Sequence, residues 1–278
     1  MSNESQKKRP VKLREFLAQH AVFTVDEIDR FLSIRGSGKT NTRKSLLTYY
    51  RKQQRIIPVR RGLYATVPLD SNSKSTLVDP YLLAAKMTKD AVLAYHTALE
   101  FHGKAYSVHA KFYYITKNKS LPLKFQNHEF RCAPIPHPLK SKGKEMFGVN
   151  RYKRMGVEIQ VTNIERTFVD VLDRPDLSGS WEEVWRSLES VEFFDLDQII
   201  EYVLILENAT TAAKVGFYLD QHRESLMVND VYLNRLQNLR PQQTHYLLRS
   251  KRKDCRWVKE WNLMIPNEIL NKSWGEVL

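Results

Sequence analysis

At 278 residues with 42% hydrophobic and 11% aromatic content, the chain is long enough to bury a core and to divide into two domains, which excludes a disordered polymer. Two cysteines without a CxxC spacing exclude a disulfide scaffold, and no apolar run approaches the ~20 residues of a membrane helix. The polar start MSNESQKKRP carries no secretory signal pattern, so a cytoplasmic protein with reduced thiols is expected.

The net charge of +13 is unevenly spread. Residues 1–70 hold 15 Lys+Arg against 6 Asp+Glu, and residues 71–160 hold the same numbers. Residues 161–278 hold 14 against 19. A basic front joined to an acidic rear points to nucleic acid as the partner of the front. A membrane surface is the competing partner for basic charge, but no amphipathic helix offers the aromatic and leucine face it requires.

The first helices follow from periodicity. Val11, Leu13, Phe16 and Leu17 form one stripe, and Val25, Ile28, Phe31 and Leu32 in TVDEIDRFL (24–32) form a second. Thr24 and Glu27 have the spacing of a capping box. After a glycine-bearing turn (33–40) comes NTRKSLLTYYRKQQ (41–54), a helix with Leu46, Leu47 and Tyr50 on one side. Asn41, Lys44, Ser45, Thr48, Lys52 and Arg55 are assigned to the opposite side. They are hydrogen-bonding and phosphate-pairing groups with no carboxylate among them, whereas a merely solvated face mixes both signs.

IIPVRRGLYATV (56–67) reads as a tight hairpin, with Gly62 at the turn and Arg60 and Arg61 at the tip. Pro58, lacking an amide donor, suits an edge strand. Leu63, Ala65 and Val67 are expected to face inward, with Tyr64 and Thr66 outward. Helix, turn, basic helix and arginine-tipped hairpin is the order of a winged helix-turn-helix, which docks a helix in the major groove and a wing on phosphates or in the minor groove.

A polar stretch with proline at either end (68–80) reads as a linker. Helices are expected at 80–87 and 95–103, the second stopped by Gly103, and strands at 111–116, 128–135 and 157–162. The lysine- and arginine-rich segment 136–156, with Lys140, Lys142, Lys144, Arg151, Lys153 and Arg154, is either a solvated loop or a second phosphate-contacting surface. From residue 163 the pattern is helical: 163–173, 181–190, 195–206, 209–222 and 229–239, with capping boxes at Thr162/Glu165 and Ser180/Glu183. A short strand is expected within 261–265. The resulting fold class is α+β, with a winged helix-turn-helix over 1–67, a linker over 68–80, and a mixed C-terminal domain over 81–278, sheet-containing to 162 and helical thereafter.

Three constellations suggest chemistry and fall short of it. GSGKT (36–40) lacks the first glycine of a phosphate loop and follows a helix, not a strand. His96, His102, His109, Cys132 and His137 match no compact metal spacing, so structural histidines and no metal are expected. Glu158 in GVEIQV has Gln160 where a metal-dependent nuclease strand carries lysine.

Glu165, Arg166, Asp170, Asp173, Arg174 and Asp176 form a local set of acids and bases around Pro175. The stretch ERTFVDVLDRPDLSG followed by an EEV helix, with YHTALEFHG and RRGLYA upstream, resembles the AbiEi-type antitoxins of type IV abortive-infection toxin–antitoxin systems. The resemblance runs from about residue 12 to the WNLMIP segment (261–266). It implies a DNA-binding autorepressor acting on repeats in its own promoter. It also implies a phage-defence antitoxin that counters a nucleotidyltransferase-like toxin without a stable complex, is no enzyme, and needs no cofactor. It makes Glu165, Arg166, Thr167, Asp170, Asp173, Arg174 and Asp176 the antitoxin motif. The rival readings are a nuclease targeted by the winged helix and a one-component regulator that senses a small molecule.

Overall fold

A computed structural model describes residues 13–34, 40–71, 73, 76–248 and 252–272. Val11 and nearly all of GSGKT lie outside the described residues. The fold is α+β: helices and several small sheets along one chain. Two compact units emerge. One comprises residues up to 89 together with 152–159; the other comprises 90–151 and 160 onward. No described helix is long and apolar enough to cross a membrane.

The first unit begins α1 (Leu13–Gln19), β1 (Val22–Thr24), α2 (Val25–Ile34), α3 (Thr40–Lys52), β2 (Ile56–Arg60) and β3 (Leu63–Thr66). The three strands form a sheet in the order β1-β3-β2, so Pro58 does sit on an edge strand. Thr24 and Glu27 close the expected capping box: Thr24 N–H donates to Glu27 Oε2 (2.8 Å), and Glu27 N–H to Thr24 Oγ1 (3.4 Å). Leu13, Phe16, Leu17, Phe23, Ile28, Leu32 and Ile56 make the helix-side core.

Tyr64 corrects the inside-out assignment of the hairpin. It packs on that helix-side core and stacks on Phe23, with ring centroids 5.7 Å apart, while Leu63 and Ala65 on the other face are also buried. A sheet covered on both faces has no solvent side, so period-two polarity is lost. Thr66 turns its hydroxyl to the His20 carbonyl (2.6 Å).

The proline-flanked stretch leads into α4 (Pro80–Ala85). Asp79 caps it by accepting from Leu82 N–H (3.0 Å), and Pro80 occupies the first turn. Lys86 pairs with Glu27, and Arg154 with Asp79 (2.7 Å), so α4 belongs to the first unit although the sequence assigns it to the second.

The rest of the chain runs β4 (Val92–Leu93), α5 (His96–Phe101), β5 (Lys111–Thr116), β6 (Leu123–Phe125), β7 (His128–Pro134), α6 (His137–Ser141), β8 (Val149–Arg154) and β9 (Val157–Thr162). A mixed six-stranded sheet has the order β6-β7-β5-β4-β9-β8, with β4 parallel to β9 and β5 parallel to β7. The basic segment 136–156 is therefore not a plain loop. It contains α6 and an edge strand, and Lys142 and Lys144 pair with Glu207 and Glu201.

Five helices follow: α7 (Ile164–Asp173), α8 (Trp181–Glu189), α9 (Leu196–Leu206), α10 (Ala209–Gln221) and α11 (Asp230–Leu239). The cap of α7 is Asn163, one residue after the expected Thr162; its Oδ1 accepts from Arg166 N–H (2.9 Å) while Thr162 still belongs to β9. Ser180 caps α8 as expected (3.1 Å), but Glu183 does not reach back to it and bonds Ser107 instead. The rear is not wholly helical either. Strands β10 (His245–Tyr246), β11 (Cys255–Val258) and β12 (Leu263–Pro266) form a three-stranded sheet before α12 (Asn267–Leu270). Cys132 and Cys255 are not joined in a disulfide.

Candidate nucleic-acid interface and motif cleft

In the first unit α3 carries the predicted division of faces. Leu46, Leu47 and Tyr50 pack against the helix-side core, whereas Asn41, Lys44, Ser45, Thr48 and Lys52 are exposed. Arg43 lies on the core-facing side of the helix, in line with Leu47 and Tyr50, and pairs with Asp29 of α2. Exposed Tyr49 and Arg51 flank the face; composition alone gave no reason to choose them over their neighbours.

Arg55 is not part of the helix face. The helix ends at Lys52, and Gln54 adopts a left-handed φ of 53° that turns the chain. Arg55 then donates through Nη1 to the Pro68 carbonyl (3.0 Å) and accepts from Val67 N–H, tying the start of the hairpin to its exit.

At the hairpin tip Gly62 has φ +81°, which a residue with a Cβ seldom adopts. Its carbonyl accepts from Val25 N–H (2.9 Å), so the tip is fixed to the first turn of α2. Arg61 is exposed and Arg60 half-buried. Both line a groove of about 660 Å³ with Arg30, Lys89, Asp26 and Glu158. Asp26 pairs with Lys89, which holds its carboxyl below the ordinary carboxylate range. Glu27 is also held low: burial opposes its ionisation, but the bonds from Lys86 and Thr24 outweigh that cost.

The motif residues of the second unit divide into a set packed around α7, buried except for half-buried Glu165, and a set that faces a cleft. Arg166 is fully buried and donates through Nη1 to the carbonyls of Glu145 (2.9 Å) and Phe147 (2.7 Å), and through Nε to Asp170 (3.3 Å). Gly148 is pressed against it: a Cβ there would come within 2.8 Å of both Arg166 Cβ and Asn163 Oδ1. Asp170 also accepts from the Tyr202 hydroxyl (2.5 Å). Burial raises the Asp170 carboxyl to about 6 against the opposing pull of Arg166 and Tyr202. Thr167 is buried, with its hydroxyl on the Asn163 carbonyl (2.6 Å), and Glu165 accepts from Asp195 N–H (3.3 Å). These four residues lock α7 to its neighbours.

Asp173, Arg174 and Asp176 instead line a cleft of about 1290 Å³, together with Lys214, His245 and Arg252. Arg174 and Asp176 form a two-pronged pair, Nε to Oδ1 at 3.0 Å and Nη2 to Oδ2 at 2.9 Å. That pairing holds Asp176 below its ordinary value and Arg174 above it. Asp173 accepts from Asn208 (3.1 Å) and from the Thr211 hydroxyl. Lys214, mostly buried, donates to the Leu172 carbonyl (3.1 Å). Sequence reasoning missed Lys214, His245 and Arg252, which come from segments far from the motif.

No family model matches the chain, and no curated protein matches it. Among solved structures, the RV2827C protein from Mycobacterium tuberculosis is similar, with a TM-score of 0.61 at 17% identity, over 94% of this chain and 93% of that one. At that identity the likeness is one of fold.

Proposed function

We propose that the chain is a DNA-binding transcriptional autorepressor whose first unit docks as a winged helix-turn-helix. The observation that carries the reading is the exposed face of α3, where Asn41, Lys44, Ser45, Thr48 and Lys52 stand without a carboxylate and are backed by Leu46, Leu47 and Tyr50. The order α1-β1-α2-α3-β2-β3 supports it, since it sets a basic helix and an arginine-bearing hairpin in one small unit. In this reading α3 enters the major groove, Lys44 and Lys52 pair with phosphates, and Asn41, Ser45 and Thr48 face base edges. The test is a gel-shift titration against the promoter of its own operon. Specific binding that survives excess nonspecific DNA supports the reading, and binding no tighter than to random duplex refutes it.

The second role we infer is that of an antitoxin against a nucleotidyltransferase-like toxin. It rests on the ERT…DRPDLSG resemblance and on the placement of Asp173, Arg174 and Asp176 at an open cleft. Co-expression with a nucleotidyltransferase encoded beside it, scored by growth, tests this directly.

One observation favours a second reading of the rear unit. A cleft of about 1290 Å³ lined by Arg174, Lys214, His245 and Arg252 together with Asp173, Asp176, Glu182 and Glu268 has the size to admit a small polar ligand that carries groups of both signs. A regulator of that kind would release operator DNA on binding its ligand, and melting shifts across a panel of zwitterionic metabolites discriminate between the two readings.

A further inference from the structure

Three side chains that the sequence keeps apart meet in the second unit. His96 opens α5, His109 precedes β5, and Glu183 lies in the first turn of α8. Each offers one donor atom within 4.8 Å of the others. The two imidazoles stack face to face, centroids 3.6 Å apart and planes 3° from parallel. His96 is fully buried, with Nε2 at 3.2 Å from Glu183 Oε1 and Nδ1 at 3.6 Å from Glu100 Oε2.

That arrangement sets a problem in proton counting. A neutral imidazole has one N–H, and His96 lies between two carboxylates. If Nε2–H donates to Glu183, Nδ1 turns a lone pair toward Glu100, and Nδ1 is indeed buried without a hydrogen-bond partner. If Nδ1–H donates to Glu100, the Nε2 lone pair faces Glu183 instead. A second proton would satisfy both sides, but it would place a charge on a fully buried ring stacked 3.6 Å from a second imidazole. A cation between His96 Nε2, His109 and Glu183 removes the conflict. Glu100 then takes the Nδ1 proton, the carboxylate–histidine–metal relay common around bound metals.

We propose that His96, His109 and Glu183 bind a divalent transition-metal ion of the zinc class, with Glu100 as the outer carboxylate that orients His96. Two neutral histidines and one carboxylate are a donor set that zinc accepts, with water completing the fourth position. Donors around a tetrahedral zinc lie about 3.4 Å apart; His96 Nε2 and Glu183 Oε1 already stand at 3.2 Å, and His109 tilts out of its stack on His96 to aim its lone pair at the same ion. The carboxylate is already fixed: Glu183 accepts from Ser107 N–H (3.0 Å) and from the Ser107 hydroxyl (2.7 Å). Gly179 presses on the cluster from outside, at φ +100°, where a Cβ would lie 3.0 Å from Glu183 Cγ and 3.1 Å from His109 Cε1. The ion would thus clip α5, the segment before β5 and the start of α8 to one another.

The experiment uses full-length protein stripped with a chelator and titrated with Zn²⁺ in competition with a chromophoric chelator, with Co²⁺ as a spectroscopic stand-in. One ion per chain is expected, together with the visible absorption of tetrahedral cobalt and a higher melting temperature in zinc. His109 is only half-buried, so His109→Ala should fold, as circular dichroism checks, and should bind at least about 100-fold more weakly. Glu100→Gln should weaken binding roughly 10–100-fold, and His137→Ala, at an exposed histidine outside the cluster, should not weaken it. Absence of a stoichiometric ion, or wild-type affinity in folded His109→Ala, overturns the proposal.

Discussion

Gly216 of α10 lies directly against the indole of Trp261. A Cβ at 216 would come within 2.6 Å of Trp261 Cε3 and closer still to two other ring carbons. Trp261 is itself pinned, fully buried and donating through Nε1 to Asp220 (3.0 Å). The helix and the C-terminal three-stranded sheet therefore meet at a contact that only a hydrogen fits.

Gly216→Ala should destabilise the protein by at least the roughly 1–3 kcal/mol typical of overpacking, even though alanine is the better helix former. Urea unfolding at equilibrium measures it. A midpoint equal to or above that of the wild type contradicts the contact.

On the α3 face, Lys44→Ala, Thr48→Ala and Lys52→Ala remove exposed side chains and should leave the melting temperature unchanged. Loss of a base contact should cost roughly 1–3 kcal/mol and relax specificity, whereas loss of a phosphate contact should weaken all sequences about equally. Titration against operator and scrambled duplexes separates the two cases. Undiminished affinity in all three variants sinks the docking geometry.

For the hairpin, the double variant Arg60→Ala/Arg61→Ala should lower the slope of log K against log salt by roughly one to two units, one for each phosphate pairing lost. Affinity measured at several salt concentrations gives the slope directly. An unaltered slope returns the tip to a solvated turn.

The pH dependence of stability carries a signature of Asp170. Its carboxyl stands at about 6 in the fold against 3.8 as the unperturbed value, so between those two limits the folded state holds more protons than the unfolded one. Stability from this group is therefore greatest in acid and is lost as pH rises from about 4 to about 6. The melting-temperature difference between wild type and Asp170→Asn should shift in favour of wild type as pH is lowered from 7 to 5. A difference that stays flat over that range rules the assignment out.

The motif residues should fail in different ways. Arg166→Ala leaves Asp170 buried without its partner, and breaking such a pair costs about 3–5 kcal/mol. Any loss of toxin rescue in that variant should track loss of folded protein. Arg174→Ala and Asp176→Ala act at the cleft, so they should impair rescue at normal melting temperature and with normal operator binding. Full rescue by both cleft variants at matched protein levels argues that the cleft is not the neutralising surface.

Local patterns announced the longer helices of both units but not the short α6 and α12, because the apolar spacing of Ile28 and Leu32 or of Phe168, Val171 and Leu172 is set within a few turns. What escaped depends on partners distant in sequence. Edge strand β8, VNRYKR, has no apolar alternation to betray it, and β4 is only two residues long. The Thr162–Asn163 pair contains two competent caps, and the pairing of β9 decides which one is used. Glu183 has the spacing of a capping partner, yet Ser107, 76 positions away, takes it up. The exposed face of α3 was legible because Leu46, Leu47 and Tyr50 define it by exclusion. The cleft was only partly so, since Lys214 and Arg252 reach it from elsewhere in the chain.

The first unit is discontinuous: it is completed by residues 152–159, with Arg154 on Asp79 and over the ring of Tyr81 at 4.5 Å. Those residues follow β3 by roughly 86 positions, so at about 5–20 residues per second a ribosome supplies them some 4–17 s after the hairpin. A nascent chain interrupted anywhere in that interval presents its basic helix without the finished unit around it. If the unit binds operator DNA as proposed, occupancy would favour chains whose synthesis had passed the middle sheet.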